Sequence, residues 1–185
     1  MSQKPVQLIP LLCCNCRNPV NAQVNEVAWV CEQCGQGLLL DDTPEPGTGA
    51  TNPLDIFFSS AIPQGKNGRP YWVASGKVEI QQRLTYKGNA QNDAARFWSV
   101  PRLFYVPAWE APLEEVISGG VYMLKSPTAM EPGSRTPFLP VVSLPEDMHA
   151  LAEFLVVSIE AERSDAMKRI DFSLRLEPPQ LWILP

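Results

Sequence analysis

All five cysteines of this chain lie between positions 13 and 34, and none follows up to residue 185. The run is Cys13-Cys14-Asn15-Cys16, fourteen further residues, then Cys31-Glu32-Gln33-Cys34-Gly35. Two Cys-x-x-Cys pairs at this separation have the spacing of a four-thiolate metal site. The reason is local geometry. Two residues between cysteines permit a tight turn that aims both sulfurs at one ion, and the turn's backbone N–H groups then offset the thiolate charge. Gly35 follows the second pair, where a positive φ is commonly required. Arg17 holds the matching place after the first pair, a departure that a non-glycine residue accommodates with some strain.

With Ala28-Trp29-Val30 as a strand entering the second knuckle, residues 10–40 resemble the zinc-ribbon family, in which two such knuckles are carried on β-hairpins. The matching residues are Cys13, Cys16, Cys31, Cys34 and Gly35. The resemblance implies a structural Zn²⁺ held by the four cysteines. It implies no particular function, because zinc ribbons serve in transcription factors, ribosomal proteins, enzymes and assembly factors. Cys14 offers an alternative chelate with Cys16, but two intervening residues suit the knuckle better. Cys14 then reads as a small buried hydrophobe or an incidental thiol. Paired disulfides and a rubredoxin-like iron site are the alternatives for the cluster. The lack of a secretory signal and the crowding of three cysteines oppose the first, and the short gap between pairs opposes the second. Four cysteines without a neighbouring histidine make a closed shell rather than a catalytic one. Metal binding supplies on the order of 10–16 kcal/mol to small zinc peptides, and a segment of ~30 residues has too little core to fold without it.

Beyond Leu40 the chain changes character. Residues 41–53 are rich in Pro and Gly with Ala50 as their one small apolar side chain, which reads as a linker. The expected organisation is a zinc ribbon over 1–40, a linker over 41–53 and an α+β domain over 54–185. The second unit reads as a mixed, mainly antiparallel sheet with one or two short helices. Strands are expected at 71–80, with a bulge at Gly76, at 97–106, interrupted by Pro101, at 121–125, at 155–160 and at 170–176, with a last apolar piece at 181–184. Helices are expected from Pro112 to a stop at Gly119, and from a capping box in which Ser143 is the N-cap and Glu146 reaches back. The order helix then strand at 112–125 recurs at 143–160 as a weak internal repeat. Val27 and Trp29 are expected on one face of their strand. Trp29 and the Leu38, Leu39, Leu40 strip are expected against the second unit or a partner.

Nineteen prolines in 185 residues rule out a long-helix bundle. No stretch approaches the ~20 apolar residues that span a bilayer, and Val6 to Leu12 makes a poor signal peptide, so the chain reads as cytosolic. The net charge of −5 opposes non-specific nucleic-acid binding. Residues 66–102, however, hold seven basic against two acidic side chains. With Tyr71, Trp72, Tyr86, Phe97, Trp98, Phe104 and Tyr105 they form a candidate nucleic-acid face over 66–105, with Arg83 and Arg96 as phosphate contacts. Enzymatic signals are weak. His149 is the only histidine. The acidic pairs Glu114-Glu115 and Glu146-Asp147 fall in first helical turns, where the macrodipole accounts for them. Gly65-Lys66-Asn67-Gly68 reads as a turn. The expected function is therefore a non-catalytic protein-binding or assembly module, with nucleic-acid binding, or an iron or thiol redox role, as the alternatives.

Overall fold

The computed structural model describes residues 9–44 and 49–185. Within the expected linker, residues 45–48 lie outside the described residues, as do residues 6–8 of the apolar patch near the start. The chain is α+β. A small antiparallel sheet is built in the order β1 (Ala28–Val30), β2 (Gly37–Leu40), β3 (Thr51–Pro53). Residues 51–53, expected in the linker, thus supply its third strand, Leu38 facing Pro53 and Leu40 facing Thr51.

The large sheet contains β4 (Ile56–Phe58), β5 (Arg69–Thr85), β6 (Arg102–Pro107), β7 (Met167–Leu176) and β8 (Gln180–Leu184). It is mixed and mainly antiparallel, as expected: β4 runs parallel to β8, and every other pairing is antiparallel. The seventeen-residue β5 organises it. One half of β5 lies between β6 and β8, and its far half pairs with β7 as a projecting two-stranded ribbon. Pro101 ends the preceding segment just before β6 begins, because proline cannot donate to the ladder. Pro178-Pro179 divides β7 from β8 for the same reason. Gly76 does not mark a bulge. It pairs in register with Arg102 and Leu176, and a Cβ there would stand 2.7 Å from the Phe104 ring. The extra residue of β5 is Gln81.

Among the described residues three helices form where one or two were expected: the first was not expected, and the two expected helices are longer than their sequence signals. Helix α1 (Gln91–Phe97) occupies the start of what reads as strand 97–106, α2 covers Leu113–Lys125 and α3 covers Met148–Ala161. The strands expected at 121–125 and 155–160 are therefore helical, and the helix–strand repeat dissolves. The competing signal is burial. Met148, Ala152, Leu155, Val156 and Ile159 form one helical stripe against the core, and this outweighs the weak strand preference of Val and Ile. Gly119 does not stop α2 either. At Gly120 the helix lies so close to its neighbours that a Cβ would stand 2.7 Å from Leu155 and 3.1 Å from the Tyr105 carbonyl. The expected capping box is displaced by one residue: Asp147 accepts from the Leu144 N–H at 3.1 Å, and the Ser143 hydroxyl is buried without a partner. A 3-10 turn, Pro145–Asp147, leads into α3.

The main core joins both sheets. Trp72, Phe104, Val106, Leu124, Leu155 and Ile183 fill its centre, and Ala28 of β1 belongs to the same cluster. Among the described residues no helix is long and apolar enough to cross a membrane.

Candidate metal centre

Two turns of the same design build the site. In the first, the Cys13 N–H donates to the Asn18 carbonyl at 2.9 Å and the Arg17 N–H donates to the Cys13 carbonyl at 2.9 Å. In the second, the Cys31 N–H donates to the Gln36 carbonyl at 2.8 Å and the Gly35 N–H to the Cys31 carbonyl at 2.9 Å. Arg17 and Gly35 take the same left-handed conformation, with φ of 62° and 77°. The four-residue periodicity of each turn thus requires a positive φ at the fourth step, and Arg17 adopts it despite its side chain. The first turn is closed by pairing of Leu12 with Pro19, the second by β1 and β2.

The sulfurs of Cys13, Cys16, Cys31 and Cys34 all lie within 4.8 Å of one another. Cys13 and Cys34 are 3.7 Å apart, and Cys16 and Cys31 are 3.6 Å apart. Ligands at ~2.3 Å from a tetrahedral ion are separated by about 3.8 Å, so the Cys13–Cys34 and Cys16–Cys31 pairs already stand at the separation such an ion needs, and the four sulfurs could hold one. A disulfide needs about 2.05 Å, and all five cysteines are free thiols. Cys14 stands outside the group. Its N–H donates to the Thr51 hydroxyl at 3.1 Å, and that hydroxyl donates to the Leu12 carbonyl at 2.7 Å, which ties the first turn to β3.

The surroundings favour thiolate at Cys16 and Cys34 but not at Cys31, where, despite the Cys34 backbone N–H, burial and the neighbouring Cys16 and Cys34 sulfurs push the thiol up to about 11. Backbone and side-chain N–H groups of Asn18 bring the Cys16 thiol down to about 6, the side chain donating to the sulfur at 3.3 Å. At Cys34 the Gln36 backbone N–H lowers the thiol pKa in the same way. Trp29 and Leu38 pack on Cys13 and Cys31, with Leu40 at the margin. Trp29 is therefore turned toward the sulfurs, whereas Val27 and Leu39 pack on the main core. The expected shared face of Val27 and Trp29 is not formed, because β1 begins only at Ala28 and Val27 bonds instead to the Val141 carbonyl at 2.7 Å. Beside the second turn lies a cleft of about 780 Å³ whose walls include Trp29, Glu32, Arg135 and Phe138.

The residues of the candidate nucleic-acid face separate. Tyr71, Trp72, Trp98, Phe104 and Tyr105 are buried, and of the seven aromatics only Tyr86 is exposed. Arg96 is exposed, but the Arg83 side chain is 1% exposed and serves as the centre of a buried ion cluster. Its Nε donates to Glu160 Oε2 at 2.8 Å, and its Nη1 and Nη2 grip both oxygens of Asp165, the second at 2.8 Å. Trp98 Nε1 donates to Glu160 Oε1 at 2.8 Å, Arg163 Nε also reaches Glu160, and the Ala90 N–H donates to Asp165 at 2.8 Å. Arg83 brings the Asp165 carboxyl down to about 2. Nothing in local sequence pairs positions 83, 160 and 165; the β5–β7 ribbon and α3 bring them together. His149 Nε2 donates to the Leu174 carbonyl, 3.3 Å away, and Nδ1 lies 3.8 Å from Glu153. No family model, curated protein or solved structure matches the chain.

Proposed function

We propose that the chain is a cytosolic zinc-ribbon protein in which one structural Zn²⁺, held by Cys13, Cys16, Cys31 and Cys34, supports a non-catalytic protein-binding or assembly module. The observation that carries the reading is the closed set of four sulfurs within 4.8 Å of one another, two pairs of them 3.6 and 3.7 Å apart. Such a set leaves no protein-free position for a reactant. The ion would link the two turns, and through Thr51, Ala28 and Leu39 the stability of this segment passes to the main core. The cleft beside the second turn supports a binding role. Its lining includes the aromatic Trp29 and Phe138 and the charged Glu32 and Arg135. Burial of Arg83 and five aromatics weakens support for the nucleic-acid alternative.

Metal analysis of the purified protein tests the reading. The expected result is one zinc per chain in a colourless sample, with Cys13→Ser or Cys31→Ser reducing metal content at least tenfold and a chelator lowering the melting temperature. Cys14→Ser keeps the metal. Iron with visible absorbance would replace the structural-zinc reading with the redox alternative, and a metal-free folded protein would end both. Substitution of Glu32 and Arg135 should weaken capture of a native protein partner while leaving metal content unchanged.

A further inference from the structure

Strand β7 carries an edge that no described residue pairs with: β5 is its single neighbour. The Glu177 N–H, just past the strand, donates to the Ser75 carbonyl, whereas the Leu174 carbonyl points away from β5 and meets His149. Alternation along the strand therefore directs the backbone groups of the odd positions toward β5 and those of Ile170 and Phe172 outward. The regular free edge runs from the bulge at Lys168 to Leu174, where His149 already occupies the outward carbonyl. Alongside it, α3 leaves Phe154 57% and Val157 37% exposed. With Ile170 and Phe172 these two side chains line a groove of about 460 Å³ between helix and strand edge.

We propose that this edge pairs with the same edge of a second copy, making a two-fold dimer with one continuous sheet across the interface. The charge pattern selects both the occupant and the register. In an antiparallel pair related by a two-fold axis, opposed residues share a face, so the axis must pass through one residue of the strand. An axis at Arg169 opposes two arginines, an axis at Asp171 opposes two aspartates, and an axis at Phe172 opposes Arg169 to Arg175. An axis at Ser173 would match Asp171 to Arg175 and Arg169 to Glu177, but it needs the outward carbonyl of Leu174, which His149 already occupies. An axis at Ile170 opposes Arg169 to the second copy's Asp171, twice, with no like charges facing. In that register the outward N–H and C=O groups of Ile170 meet their own counterparts. Arg169 and Asp171 fall in the non-hydrogen-bonded pair, where side chains approach most closely. Arg169 and Asp171 already form a 3.0 Å ion pair within the chain, so dimerisation closes a ring of four alternating charges.

The test is sedimentation of the full, metal-loaded chain across about 5–200 μM, with Arg169→Asp and Asp171→Arg variants alone and mixed. The wild type should reach twice the chain mass of 20.5 kDa. Each variant, folded by circular dichroism, should dissociate with a constant about tenfold or more higher, since both cross-strand pairs become repulsive. Mixing the two variants should restore a dimer, because an edge acidic at both positions then faces an edge basic at both. A monomeric wild type at the highest concentration overturns the proposal. So do variants that stay dimeric, or variants that stay monomeric when mixed.

Discussion

Replacing Arg83 by Met removes the cation from a cluster in which the Arg83, Glu160 and Asp165 side chains are 1%, 0% and 2% exposed. Methionine fills much of the same volume, so the change isolates charge and hydrogen bonding from packing. Glu160 keeps Arg163 and the Trp98 indole, but Asp165 keeps only the Ala90 N–H among the bonds described above. Breaking a buried pair from one side costs about 3–5 kcal/mol, because the remaining carboxylate is left desolvated. For a domain of this size each kcal/mol moves the melting temperature by ~2–4 °C, so the expected drop at pH 7 is about 6–20 °C. The sign of the pH dependence follows from Asp165. Its folded pKa is depressed from 3.8 to about 2, so its contribution is present above pH 3.8 and is lost as pH falls through 2. In the variant the support for the charged form is gone, and burial instead favours the protonated acid. The stability difference between wild type and Arg83→Met should therefore be largest near neutral pH and shrink on acidification. Taking the difference at each pH removes the acid lability of the metal site, which both proteins share. Urea or thermal melts from pH 7 to pH 3 measure it. A difference at pH 7 within 1 kcal/mol, or two curves that run parallel into acid, would refute the reasoning.

The paired glycines of α2 give opposite outcomes. A Cβ on Gly119 meets nothing within 4 Å, so Gly119→Ala should stabilise by about 0.8–1.0 kcal/mol through helix propensity. Gly120→Ala drives a methyl into Leu155 and the Tyr105 carbonyl and should destabilise by about 1–3 kcal/mol despite the same propensity gain. Both are read by chemical denaturation, and equal effects would contradict the close approach of α2 and α3. Arg17, at φ 62°, tolerates the left-handed turn; Arg17→Val should cost about 1–2 kcal/mol in the metal-bound protein, and Arg17→Gly should cost nothing.

Legibility along the chain followed the range of the forces. The knuckles were readable because each Cys-x-x-Cys turn is closed within six residues, Cys13 to Asn18 and Cys31 to Gln36. The charge pattern and the prolines also spoke locally: Pro101 and Pro178-Pro179 divide strands where their missing N–H groups require it. The strands at 170–176 and 181–184 show in their alternation and terminal apolar run. Segments such as 121–125 and 155–160 were not readable, since a short apolar run of Val, Ile and Leu suits either period and the decision belongs to whatever packs against it.

From the amino acids alone come a four-thiolate turn pair, the α+β class and a mainly antiparallel sheet, since these depend on backbone geometry and side-chain type over a few residues. The fold alone placed Arg83 inside rather than on the surface. It aligned Trp29 with the sulfurs, made residues 51–53 a strand and left one edge of β7 unpaired among the described residues. Each of those outcomes turns on contacts between positions tens of residues apart, where burial and ion pairing outweigh local preference by several kcal/mol.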